Sequence, residues 1–205
     1  MIGGKKVCAI IPAAGNSTRM GSPKLLLPMG SGTLIEQTLA AWRASRVEKV
    51  VVIVRPDDQE LAHLCRSCGV DVVVPPTVPP EMKDSVLHGL QHIQANYSPV
   101  DEDAWLLAPA DMPSLSPRVI EALIMAHDCN RNCMLIPTLG GKRGHPVLFP
   151  WSMTGEVFSL SASEGLNVLR QRFPSHEIPC DSVEPAESTA FGDVDTPEDF
   201  RRLCK

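Results

Sequence analysis

The chain has 205 residues, 43% of them hydrophobic and 21% charged, with a formal net charge of −5 at pH 7. That length and apolar fraction suit one domain with a substantial core and argue against a separate second one. A net acidic surface is repelled by nucleic acid and by anionic membranes, which argues against both as partners. An anionic substrate would have to be held by locally placed positive charge.

In chain order, the first apolar run follows Lys5 and Lys6 but ends at Pro12, too short for the apolar segment of a signal peptide. It reads instead as a first strand, Lys6–Ile11. No stretch approaches the roughly 20 apolar residues of a membrane helix, so a cytoplasmic, soluble protein is expected. Next comes the turn Ala13-Ala14-Gly15, whose small side chains let backbone N–H groups approach phosphate oxygens, followed by Arg19 and Lys24 as mobile positive charge. Lys24 follows Ser22 and Pro23, so this is not a Walker A loop. A plain tight turn between strand and helix is the alternative, but it has no need of that arginine and lysine.

Thr33 with Glu36 and Asp57 with Glu60 read as capping boxes opening two helices, with a strand Lys49–Val54 between them. A strand Asp71–Val74 leads into Pro75, Pro76, Pro79 and Pro80, a stiff extended stretch expected to pass over the sheet edge beside the ligand. Val86, Leu87, Leu90 and Ile93 then recur at helical spacing, predicting a helix over 84–94. A strand Ala104–Ala108 runs into Pro109-Ala110-Asp111-Met112-Pro113, where Asp111 is either a turn residue or a magnesium ligand at the strand end. Ser116 before Pro117 opens a further helix, and strands Met134–Pro137 and Pro146–Phe149 flank a flexible turn with Gly140, Gly141 and Gly144. Thr196 before Pro197 opens the last helix. Short β-branched runs alternating with helices predict an α/β fold: three α/β/α layers, Rossmann-like, with a mostly parallel sheet and ligands at the carboxyl ends of its strands.

Seven cysteines, at positions 8, 65, 68, 129, 133, 180 and 204, are an odd number and scattered, which fits reduced thiols better than a disulfide framework. Cys65 and Cys68 with Cys129 and Cys133 could form a four-thiolate zinc site, but both pairs fall near helix ends, which favours free thiols.

The segment from Ile10 to Pro28, IIPAAGNSTRMGSPKLLLP, resembles the signature of the MobA-like nucleotidyltransferases, and its Ala-Ala-Gly form resembles the molybdenum cofactor cytidylyltransferase branch. The Asp111-Met112-Pro113 and Asp195-Thr196-Pro197-Glu198-Asp199 elements match the family in order. The resemblance implies Mg²⁺ held by Asp111 and Asp195, with Arg19 and Lys24 on the phosphates and Asp193 a less favoured ligand. It implies nucleotide contacts from Ala13, Ala14, Gly15, Asn16, Ser17 and Ser85. It also points to Lys83, Lys142, Arg143 and His145 as acceptor-binding, although Lys83 and Asp84 stand where relatives carry small residues, and His145 can equally be a hydrogen-bonded loop histidine. For Asp195 the other reading is a helix start, since Thr196, Pro197 and Asp199 form one in any case.

The implied reaction is in-line attack by an acceptor phosphate on the α-phosphorus of a nucleoside triphosphate, releasing pyrophosphate. Such a nucleophile is already anionic, so no Ser/His/Asp constellation is required, and none with recognisable spacing occurs. CTP, with molybdopterin as acceptor and transient contact with a molybdoenzyme or its chaperone, follows from the branch resembled; ATP stays open. A methylerythritol phosphate cytidylyltransferase is a rival, though its Asp-Ala-Ala-Arg segment is replaced here by Asp111-Met112-Pro113. A non-catalytic nucleotide-binding module is a second rival, which would not need both carboxylates.

Overall fold

The computed structural model describes residues 5–15, 23–185 and 188–203. Among these, eight strands form one sheet in the order β10-β7-β9-β6-β1-β4-β5, with β8 on β7. They are β1 (Val7–Pro12), β4 (Lys49–Ile53), β5 (Asp71–Val73), β6 (Ala104–Leu107), β7 (Met134–Leu139), β8 (Lys142–Arg143), β9 (Val147–Pro150) and β10 (Ser175–Pro179). A separate hairpin pairs β2 (Pro28–Met29) with β3 (Gly32–Thr33). All neighbours in the sheet are parallel except β9, antiparallel to β6 and β7, and β8, antiparallel to β7.

Helices cover both faces: α1 (Leu34–Arg43), α2 (Gln59–Ser67) and α4 (Pro117–His127) on one, α3 (Met82–Tyr97), α5 (Thr154–Phe158) and α6 (Leu169–Arg172) on the other. The alternation along β1 divides its side chains between two cores. Val7, Ala9 and Ile11 pack with Leu39 and Trp42 of α1 and Ile120 and Leu123 of α4, while Cys8 and Ile10 pack with Val86, Leu90 and Ile93 of α3. Central strands apolar on both faces are what a helix-covered parallel sheet demands. The last helix, α7 (Pro197–Leu203), lays Phe200 and Leu203 against the first core. No helix among the described residues is long and apolar enough to cross a membrane.

Most helix starts follow their local chemistry. Thr33 and Glu36 form the expected capping box on α1, with the Thr33 N–H donating to Glu36 Oε2 at 2.7 Å. For α2 the cap is Asp58 rather than Asp57: Asp58 Oδ1 accepts from the Leu61 N–H at 3.1 Å, whereas Asp57 is held by Arg55. Helix α3 begins at Met82, two residues before the predicted start, because Glu81 and Asp84 supply a capping box. Ser116 precedes Pro117 as predicted, but its hydroxyl bonds Glu184 Oε2 at 2.6 Å instead of capping the helix.

Two packing details place the site. Gly89 lets α3 lie close on the sheet: a Cβ there would stand 2.9 Å from Ile10 Cγ2 and 3.2 Å from Ile53 Cδ1. One turn earlier, Ser85 is thereby brought to the carboxyl end of β1. The strand order also reverses at β1, whose successors β4 and β5 lie to one side while β6 returns to the other. Open α/β sheets leave a crevice at such a reversal.

Candidate active site

That crevice is present, a cleft of about 350 Å³, the size of a small-molecule site. Its floor is the end of β1 with Pro12, Ala13, Ala14 and Gly15; one wall is Pro109, Ala110 and Asp111 after β6. The other wall is Val78, Pro79 and Pro80 of the proline stretch with Glu81, Met82 and Ser85 of α3. Of the turn amides, that of Ala13 is spent inside the sheet, donating to the Ile53 carbonyl at 2.9 Å.

In the lining of the cleft, three distant segments meet on one ammonium. Lys24 Nζ donates to Asp111 Oδ2 at 2.5 Å, to the Val194 carbonyl at 2.8 Å and to Asp195 Oδ1 at 3.2 Å. Each partner is held by its own element. Lys24 opens a single 3₁₀ turn whose next residue, Leu25, is buried in the core. Asp111 follows β6 directly after buried Ala110. Asp195 is fixed by buried Val194, whose N–H donates to the Asp111 carbonyl at 3.0 Å, and by the capping box of α7, in which Thr196 and Asp199 bond reciprocally. Upstream, the Phe191 ring lies so close to Gly144 that a Cβ there would come within 2.2 Å of it, which ties the segment before Asp195 to the β8–β9 connection.

The electrostatics follow from this packing. Burial of the Lys24 ammonium works against its charge, but hydrogen bonding and attraction from Asp111 and then Asp195 outweigh that and raise its pKa above the ordinary 10.5. Lys24 is therefore charged throughout the neutral range. Asp111 Oδ1 is buried with no hydrogen-bond partner among the described residues, an orphaned acceptor where such groups are normally satisfied. Two carboxylates that reach one small cation, one of them with a spare buried oxygen, form a hard-oxygen donor set. Such a set fits Mg²⁺, which takes one or two carboxylates and completes its shell with phosphates and water. Among the described residues no group of three or more His, Cys, Asp or Glu is placed to hold a metal by protein ligands alone.

His145 lies behind this rim, its Nδ1–H donating to the Leu107 carbonyl at 3.2 Å. Burial lowers its pKa, against the opposing pull of the Leu107 carbonyl, Asp111 and Asp193, so the ring is neutral at pH 7. It is a hydrogen-bonded loop histidine beside the site and is absent from the cleft lining.

The remaining predicted residues divide. Ala13, Ala14, Gly15, Lys24, Ser85, Asp111 and Asp195 all line the cleft, while Asn16, Ser17 and Arg19 lie outside the described residues. Lys83 departs from the acceptor-binding expectation: its side chain turns inward, 6% exposed, and Nζ donates to the carbonyls of Ser161, Ala162 and Glu164 at 2.7, 3.1 and 2.8 Å. An ammonium has three protons and all are used, so none remains for an acceptor. The Arg143 guanidinium is paired with Glu177 of β10, and neither it nor exposed Lys142 lines the cleft. Cys65 is in the core and Cys129 exposed; the described cysteines are free thiols.

Several site residues were not anticipated. Val78 and Met82 present apolar surface to the cleft, 41% and 48% exposed, and apolar residues so placed signal a face for a ligand. The Val194 carbonyl, the third acceptor of Lys24, is a backbone group and leaves no mark on the sequence.

A small-molecule cleft at the reversal of a mostly parallel sheet, lined by one cationic and two acidic side chains, defines an α/β class whose ligands sit at the carboxyl ends of the strands. Residues 9–177 match the model of the MobA-like NTP transferase domain, and the chain belongs to that family. A curated relative, 2-C-methyl-D-erythritol 4-phosphate cytidylyltransferase of Azoarcus sp. (strain BH72), is 38% identical over 120 residues, 57% of this chain and 50% of that one. The chain thus spans about half the length of the curated relatives it matches. Among solved structures, Rv0371c from Mycobacterium tuberculosis H37Rv is similar with a TM-score of 0.79 and 25% identity, covering 98% of each chain. Molybdopterin-guanine dinucleotide biosynthesis protein A from Archaeoglobus fulgidus shares the fold with a TM-score of 0.71 at 18% identity, covering 97% of this chain and 96% of that one.

Proposed function

We propose that the protein is a Mg²⁺-dependent cytidylyltransferase that moves CMP from CTP to a phosphorylated acceptor, for which molybdopterin is the first candidate. An acceptor phosphate oxygen attacks the α-phosphorus in line; the new P–O bond forms as the bond to the β-phosphate oxygen breaks, and pyrophosphate leaves with that electron pair. Mg²⁺, held by Asp111 and Asp195, supplies charge neutralisation on the phosphates. The chain's own residues align and stabilise: Lys24 with Arg19 offsets the charge developing on the leaving group, Ala14 and Gly15 let the backbone approach the triphosphate, and Ser85 with Met82 and Val78 lines the wall where the nucleoside lies.

The observation that carries this reading is the convergence of Asp111 and Asp195, 84 residues apart, on Lys24 in the lining of the cleft. A module that only bound nucleotide would not need both acids. CTP as donor is supported by the Ala13-Ala14-Gly15 form of the turn and by curated relatives named as cytidylyltransferases. Those same relatives favour a second reading of the acceptor, methylerythritol phosphate; Asp111-Met112-Pro113 in place of Asp-Ala-Ala-Arg weighs against it.

Pyrophosphate release from CTP, GTP, ATP and UTP, each with molybdopterin or methylerythritol phosphate and with or without Mg²⁺, tests the reading. The expected result is release from CTP that requires both molybdopterin and the metal. Release with methylerythritol phosphate alone would transfer the assignment to the second acceptor, and no acceptor-dependent release from any triphosphate would overturn it.

A further inference from the structure

A lysine that neutralises phosphates must direct its ammonium into the cleft, yet here all three protons of Lys24 are committed to Asp111 Oδ2, the Val194 carbonyl and Asp195 Oδ1. The side chain is 13% exposed and that of Asp111 14%, so the pair is largely withdrawn from water, which screens a buried ion pair little. The ammonium therefore stands against the same carboxylate oxygens that a divalent cation would take. It cannot hold those oxygens and the triphosphate with the same protons.

We propose that Lys24 is a resident counter-cation of the Asp111–Asp195 pair, which a divalent cation replaces as the triphosphate draws the ammonium into the cleft, so that metal and nucleotide enter as a coupled pair. The inference rests on reading Asp111 and Asp195 as metal carboxylates. Without nucleotide, Lys24 competes with the metal and keeps the two acids together despite their like charge. With a triphosphate present, the phosphate oxygens give the ammonium new acceptors, and Asp111 Oδ2 and Asp195 Oδ1 exchange their Lys24 contact for the metal. By reciprocity, whatever the triphosphate gains from the metal through this exchange, the metal gains from the triphosphate. The second oxygen of Asp111, buried and without a partner among the described residues, is a position that Lys24 leaves unfilled and a cation of higher coordination number would fill.

Mn²⁺ binding to the nucleotide-free protein, followed by the EPR signal of free Mn²⁺, tests this without turnover. Wild type is expected to bind weakly, Lys24→Met about tenfold or more tightly, within the usual range of coupling between sites, and Lys24→Arg, which keeps the charge, close to wild type. In thermal denaturation, Lys24→Met should melt below wild type without metal and gain more from Mn²⁺. Should Lys24→Met fold poorly, Lys24→Gln carries the same comparison. If neither neutral variant binds Mn²⁺ more tightly than wild type while Asp111→Asn weakens binding, the metal site stands and the exchange is refuted. If Asp111→Asn leaves Mn²⁺ binding unchanged with and without CTP, the metal reading beneath it fails as well.

Discussion

Replacing Asp111 by Asn separates the two demands made on that side chain. Its Oδ2 accepts from Lys24 at 2.5 Å in a largely buried pair, and breaking such a pair outright costs about 3–5 kcal/mol because a charge is left uncompensated. Here Lys24 keeps the Val194 carbonyl at 2.8 Å and Asp195 Oδ1 at 3.2 Å, and an asparagine oxygen can still accept, so the expected loss of stability is only about 1–2 kcal/mol. Transition-state stabilisation has no such reserve. Losing one preorganised electrostatic contact costs about 3–4 kcal/mol, so turnover should fall roughly 100-fold or more. Urea denaturation and acceptor-dependent pyrophosphate release at saturating CTP and Mg²⁺ measure the two quantities on one preparation. A variant that turns over like wild type would refute the placing of Asp111 at the reacting phosphates, and one that unfolds would refute the claim that Val194 and Asp195 suffice to hold Lys24.

Lys83→Met should destabilise by about 1–3 kcal/mol, since three carbonyls lose their donor, whereas exposed Lys142→Met should change the urea midpoint little. Gly144→Ala should expel the Phe191 ring, costing about 1–3 kcal/mol as overpacking does, and should weaken CTP binding in the presence of Mg²⁺ by loosening the segment that carries Asp195; tryptophan-independent calorimetry of CTP binding reads this directly. Alkaline pH should destabilise the fold through its buried thiols. Burial pushes Cys8 and Cys65 up from 9.0 to about 12, so above pH 9 the unfolded chain loses protons that the native state keeps. Stability is then complete below pH 9 and falls by roughly 1.4 kcal/mol per pH unit for each thiol as the pH rises toward 12. Urea midpoints across that range, compared with Cys65→Ala, should show a shallower decline in the variant.

The layered fold was legible in the sequence because its central strands are apolar on both faces, a pattern that survives any detail of packing. Val50–Ile53 and Leu106–Leu107 had no other place to go than between helices. The edges were harder. Strand β10, Ser-His-Glu-Ile-Pro, is largely exposed and carries one partly buried apolar side chain, so neither alternation nor hydrophobicity marks it; it forms because β7 offers it a parallel backbone partner. The two-residue strands β2, β3 and β8 are likewise set by their neighbours. Asp57 and Asp58 illustrate a local ambiguity: adjacent acids offer the same cap, and the choice falls to Asp58 because Arg55 claims the other.

The site divides along the same line between groups whose position follows from chain topology and groups whose role depends on where a flexible side chain ends. The Ala13–Gly15 turn follows a buried strand directly, and Asp111 lies four residues past another, held by buried Ala108 and Ala110, so their arrival at the cleft is fixed once the sheet is. Lysines are different, because a four-carbon stem can carry the charge to either side of its backbone. Lys83 and Lys24 both stand beside the cleft in the sequence reading, yet one is drawn inward by three carbonyls and the other to two carboxylates and a carbonyl. The acceptors that decide between them come from residues 161–164 for Lys83 and from Asp111, Val194 and Asp195 for Lys24, all far away in the chain. The sequence identifies such a lysine as a charge near the substrate; only the fold reveals whether that charge is committed to the scaffold, as at Lys83, or lent to the carboxylates of the site, as at Lys24.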